Sequence, residues 1–131
     1  MVMDRHDIAL VIAGVIGSGG AVAHGVLTQW HIIDPIQELA VPRISTTVQR
    51  LVSVLLQFST FNWLVGGVAL LVAALVFRRD ARLATGLLVG SSYLYAAVGN
   101  FWATQGRPHP GWLLYGTALC LIAYGLATPV P

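Results

Sequence analysis

The sequence predicts an all-α fold: an integral membrane bundle of four transmembrane helices running up, down, up and down, with a short interfacial segment between helices one and two. Three observations predict it. Of 131 residues, 56% are hydrophobic and only 9% are charged, whereas a soluble domain carries roughly 25% charged residues to cover its surface. The mean hydropathy is +0.77. Four apolar stretches approach the roughly 20 residues that a helix needs to cross a hydrocarbon core about 30 Å thick. With short connections they use the whole length, so a single transmembrane domain over residues 1–131 is expected.

The first span, residues 8–28, has no charged residue unless His24 is protonated. Ala21-Val22-Ala23 resembles the small-residue cleavage site of a leader peptide. Asp4 and Asp7 beside Arg5 make a poor positive n-region, however, so an uncleaved span is expected. In the connection over residues 30–47, Asp34-Pro35 reads as a cap followed by proline at the first helical position. Residues 36–40 then lie along the interface until Pro42 stops them. Thr46-x-x-Gln49 fits a capping box, which starts the second helix near Thr47.

The second span, residues 51–77, is closed by Arg78-Arg79-Asp80 and exceeds what a membrane requires, so tilt or protrusion is expected. The third span covers residues 83–103. Only a few residues separate it from the second, which makes the two antiparallel neighbours. The fourth, residues 111–127, is the shortest, and Trp112 and Tyr115 suit an interfacial end.

All seven basic residues are arginine. Arg78, Arg79 and Arg82 form the densest cluster, in the shortest loop, which assigns that loop and both termini to the cytoplasm. With Arg5 the inner tally is four, against Arg43, Arg50 and Arg107 outside. Scattered arginines and a formal charge of +2 make no nucleic-acid stripe. The lone Cys120 excludes an internal disulfide or a CxxC pair and reads as a small buried apolar side chain.

In that topology the polar side chains collect at the outer end. His24, His31 and Asp34 come from helix one and its extension, Arg50 and Gln57 from the start of helix two. Asn100 closes helix three, and Arg107 and His109 sit in the second outer loop. Arg50, Ser53, Gln57 and Thr60 share one helical face, which continues as Leu64, Gly67 and Leu71. Gly14, Gly17, Ala21, His24 and Thr28 line helix one in the same way, and small residues there and at Gly86-x-x-x-Gly90 permit close helix approach in lipid. If helix one ends near Ile33 and helix two starts near Val48, His24 and Gln57 both lie roughly 13 Å deep, within reach of each other.

An ionisable group inside a span is a functional candidate by default. The candidate ligand-binding residues are therefore His24, Arg50, Gln57, Asn100 and His109. Beside this stands a plainer account, in which His24 is a neutral imidazole bonded to Gln57 or a backbone carbonyl, and Arg50 is a snorkelling anchor. His24 and His31 lie roughly 10 Å apart on a helix, too far to share one metal ion. A haem between His24 and His109 needs matching depth, yet Pro108 and Pro110 hold His109 in a loop. Catalytic signals are missing too: no serine sits in a G-x-S-x-G elbow, and helix one has no membrane-embedded Asp or Glu for ion-coupled transport. Asp34 and Glu38 read as solvated charges, and Gly17-Ser18-Gly19-Gly20 as packing or local bending.

His24 late in helix one, Arg50 opening helix two, the run from Gln57 to Trp63, and His109-Pro110-x-Trp112 carry a resemblance. With them the chain resembles a loose set of small bacterial four-helix membrane proteins without assigned activity, which often carry a histidine where this chain has Gln57. The resemblance implies the bundle fold and a bacterial inner-membrane location.

The expected function is that of a non-enzymatic structural or accessory membrane component, surrounded by lipid and associating with itself or a larger membrane complex. No cofactor is expected with it. The alternative is an outer-face site around His24, Arg50 and Gln57 that binds a lipid, a quinone or haem.

Overall fold

Asp4 starts the first helix. In the computed structural model, which describes residues 3–40 and 44–127, its carboxylate accepts the backbone N–H groups of His6 and Asp7. Asp7 in turn accepts the N–H of Asp4, completing a capping box that satisfies first-turn donors. Helix α1 (Arg5–Thr28) thus begins ahead of the apolar run.

Thr28 does not end it. A π-helical turn over Gln29–Ile33 leads directly into α2 (Asp34–Ala40), and Arg5–Leu39 forms one 35-residue helix. The interfacial segment expected over residues 36–40 is instead a continuation of helix one, and Asp34 has helical angles (φ −59°, ψ −49°) rather than those of an N-cap. Pro35 supplies the physical reason. It has no N–H, and in a regular α-helix its ring would collide with the carbonyl of His31. The wider turn takes up an extra residue, with the Asp34 N–H bonding to the Gln29 carbonyl. The stop expected at Pro42 and the outer charge Arg43 lie outside the described residues.

Helix α3 (Thr46–Val76) is capped by Ser45, whose hydroxyl accepts the Val48 N–H at 3.4 Å. The expected Thr46–Gln49 box does not form. With Ser45 as cap, Gln49 falls one position too far along, and its amide donates to the Ile44 carbonyl at 2.9 Å. Phe77 and Arg78 turn the chain into α4 (Arg79–Ala103). A tight loop, with Gln105 at φ 53° and Gly106 at φ 73°, leads to α5 (Pro110–Leu126), which has proline in its first turn.

The long helices form an antiparallel ring in which α1 packs on α3 and α5, and α4 closes the ring against both. Leu10, Leu70, Tyr93, Tyr115 and Ile122 fill its centre. The inward face expected for helix one is observed, with Gly14, Gly17, Ala21 and Thr28 buried. Gly14 and Gly67 bring α1 and α3 together, since a Cβ on Gly14 would lie 2.7 Å from the Gly67 carbonyl oxygen. Gly86 is filled by Leu126 of α5.

Two helices, Arg5–Leu39 and Thr46–Val76, are long and apolar enough to cross a membrane, and Pro110–Leu126 is a shorter apolar helix. Cys120, expected inside, is exposed. It lies midway between the buried Ala118 and Ile122, on the side of α5 turned away from the bundle.

Candidate functional site

The close approach of Gly14 to Gly67 sets the register of α1 against α3, and further along it places His24 beside Ser59 and Gly25 beside Gln57. His24 is half-buried. Its Nε2 lies 3.3 Å from both the Thr28 and Ser59 hydroxyl oxygens, and its ring tilts over Trp63 at 4.7 Å between centroids. A single ring nitrogen offers one donor or acceptor direction, so the two hydroxyls compete for it. Donation by Ser59 to the Leu56 carbonyl, at 3.1 Å, leaves the Ser59 oxygen to accept from an Nε2–H tautomer.

Gln57 donates to the Gly25 carbonyl at 3.1 Å and lies 3.4 Å from the Gln29 side-chain oxygen. His24 and Gln57 therefore share a level, as the depth count expects, without bonding to each other: Gln57 takes the backbone one residue along. The missing side chain at Gly25 admits this contact, because a Cβ there would lie 2.7 Å from Thr60 and 3.4 Å from Gln57. Beyond it, Gln29 donates to Asp34 at 2.7 Å and Gln37 to Ser53 at 2.8 Å. The seam between the first helix and α3 is polar from His24 outward.

An aromatic stack crosses the bundle behind His24. Trp63 lies 4.7 Å from Tyr115, and Tyr115 lies 4.9 Å from Tyr93. The Tyr93 hydroxyl donates to the Trp63 carbonyl at 3.2 Å. Of these, the sequence singled out Trp63 in the run from Gln57 and read Tyr115 as interfacial, whereas Tyr115 is buried in the core, because their meeting joins three helices.

The other candidates stand apart. Arg50 is exposed, seven residues from Gln57 and about 10 Å along the helix. Asn100 donates to the Ala96 carbonyl at 2.8 Å. His109 caps α5, its Nδ1 accepting the Gly111 N–H at 3.1 Å. An open depression of about 450 Å³ lies beside Thr104, Gln105, Arg107 and His109. The structure thus joins His24 and Gln57 on one seam, puts Asn100 and His109 at the α4–α5 loop, and leaves Arg50 alone.

At the opposite end, Asp7 is buried, 8% exposed, and paired with Arg82. Helix one therefore does hold an enclosed acid, one residue before the span expected from the sequence. The signal available was topological: both residues open a helix at the same end of the bundle. Among the described residues, no group of three His, Cys, Asp or Glu side chains could hold a metal ion. No family model, curated protein or solved structure matches the chain.

Proposed function

We propose that this chain is an integral membrane protein crossing the bilayer with four helices. It works without catalysing a reaction, as a structural or accessory component that associates with itself or with a larger membrane complex. One observation carries this reading, a division of surfaces. Two polar side chains of the apolar segments are engaged between α1 and α3, His24 with Ser59 and Gln57 with Gly25. The outward faces carry large apolar side chains instead: Val15 and Val22 on α1, Leu55 and Val65 on α3, Leu88 and Leu94 on α4, Leu113 and Leu114 on α5.

Soluble monomers rarely expose apolar patches larger than a few hundred Å². In lipid the same surface matches its solvent. Helix α4, with 25 residues, extends about 38 Å, enough to cross. Helix α5, with 17 residues, extends about 26 Å, and local thinning of the bilayer accommodates the shortfall. Trp30 and Trp102, both exposed, suit one interface. Arg78 and Arg79 suit the other, which is assigned with both termini to the cytoplasmic side of a bacterial inner membrane. An outer-face site for a lipid, quinone or haem has less support, because His24 and Gln57 are already engaged across the helix pair and Arg50 stands a helical turn or more away.

Reconstitution into lipid nanodiscs, followed by cross-linking and native mass measurement, tests the reading. Oligomers or a co-purifying membrane complex are expected. Monomers alone at every protein-to-lipid ratio would count decisively against it.

A further inference from the structure

Asn62 lies near the middle of α3, sixteen residues from Thr46 and fourteen from Val76, or about 24 and 21 Å from its ends. Its side chain is exposed, and one N–H donates to the Ser92 hydroxyl on α4 at 2.7 Å. A carboxamide has two N–H donors and an oxygen with two acceptor lone pairs. Among the described residues the remaining donor and the oxygen have no partner. In a helix that crosses a bilayer this depth is the midplane, where neither water nor a lipid headgroup supplies one, and an unmet polar group is costly.

The surface around Asn62 has the form of a helix seam. Leu55, Phe58, Val65 and Val72 are exposed and follow the same stripe of α3, at spacings of three, seven and seven residues. Positions 55, 58, 62 and 65 alternate as in an a/d seam, and a single polar residue at an a-type position sets register and partner number. The pairing of α3 with α4 is also the loosest around the ring.

We propose that α3 pairs with α3 of a second copy, each Asn62 donating its free N–H to the carboxamide oxygen of the other across a two-fold axis normal to the membrane. The inference rests on the membrane reading above. A second copy is the fitting occupant because a carboxamide is its own hydrogen-bonding complement, and a two-fold axis exchanges donor with acceptor so that one patch satisfies itself. Copies inserted in the same orientation bring Asn62 to equal depth. The Ser92 hydroxyl engages one amide hydrogen and leaves the other, with the oxygen, for the partner.

The monomer–dimer equilibrium of the full chain in phosphatidylcholine vesicles, read by energy transfer between end-labelled copies during dilution with lipid, tests this. Wild type is expected to dimerise, Asn62→Val to weaken the dimer about tenfold, as two interhelical hydrogen bonds in a membrane suggest, and Asn62→Gln to retain most of it. Ser92→Ala should leave the dimer intact. An Asn62→Val variant with wild-type helix content that dimerises as tightly as wild type overturns the pairing. So does a dimer lost equally in Ser92→Ala, which would make Asn62 an intrachain packing residue. A wild-type chain that stays monomeric yet resists alkaline extraction from membranes overturns the pairing alone, whereas release by alkaline extraction overturns the membrane reading itself.

Discussion

Arg82 donates to the carboxylate of Asp7 at 2.5 Å across 75 positions of the chain. The same guanidinium donates to the carbonyls of Ala73 and Ala74 at 3.3 and 3.0 Å. One side chain thereby ties the first turns of α1 and α4 to the C-terminal carbonyls of α3, that of Ala73 also accepting the Phe77 N–H. In sequence Arg82 reads as a third member of the loop cluster with Arg78 and Arg79. In the fold it points inward while those two remain exposed.

Arg82→Gln should therefore destabilise the bundle by about 3 kcal/mol, toward the low end for breaking an enclosed pair, since Arg82 keeps 24% of its side-chain surface exposed. Adding Asp7→Asn should recover part of the loss. Unfolding of the single and double variants in mild detergent measures the coupling, and strictly additive losses would show that the two charges do not interact.

Gly17 makes room for Tyr93. A Cβ at Gly17 would overlap the Tyr93 hydroxyl and ring, and Tyr93 is fully buried. Gly17→Ala should cost about 1–3 kcal/mol through overpacking. Gly19→Ala, two positions away with nothing within 4 Å, is the matched control and should melt as wild type does. Equal melting of the two variants would exclude the packing role of Gly17.

The backbone N–H of Asp7 holds the Asp4 carboxyl below its ordinary value of 3.8. A carboxyl depressed in the folded state contributes stability that is present above its unfolded value and is lost as pH falls through the folded one. The contribution of Asp4 should therefore be intact at neutral pH and disappear only below about pH 4. Asn still caps a helix, so Asp4→Asn should fold at neutral pH but lose this part of the acid dependence. Identical acid unfolding profiles for the two proteins would remove Asp4 from the account.

His24 serves as a latch between α1 and α3 in the proposed function, which gives a spectroscopic expectation. Protein purified from its native membranes in mild detergent should have no reducible visible band, and His24→Ala should cost about 1 kcal/mol through loss of the hydrogen bond to Ser59. A reducible band at near-stoichiometric level, lost in His24→Ala, would turn the latch into a ligand and revive the haem alternative.

Cys120 tests the fourth crossing. It is exposed on α5, the helix that extends least. If α5 spans the bilayer, a water-soluble maleimide should leave Cys120 unlabelled in intact vesicles and label it after denaturing detergent is added. Rapid labelling in intact vesicles would put α5 in water.

Much of this was legible from composition and counting. Four apolar stretches became the four long helices; charged residues joined two helix starts, Arg5 and Asp7 in α1 and Arg79, Asp80 and Arg82 in α4, while helix one ran on from residue 28 to Leu39. Depth was countable too, because a helix rises about 1.5 Å per residue whatever surrounds it, and so His24 and Gln57 came out level. The break expected at Asp34-Pro35 failed for a local reason. A π turn absorbs the proline at the cost of one extra residue, and no propensity rule separates that outcome from a helix start.

Partners were a different matter. Hydrophobic patterning states which side of a helix turns inward, but a shift of one residue rotates a side chain by about 100°. Whether His24 meets Gln57 or Ser59 therefore depends on the contact of Gly14 with Gly67 several turns away. The same holds for Asp7 with Arg82, for Trp63 with Tyr115, and for Asn62 with Ser92. Chain chemistry alone specified four helices and an apolar exterior, since those follow from each segment's own residues. Which polar groups found one another was left to the register between helices, because register is a property of two surfaces in contact and belongs to neither helix by itself.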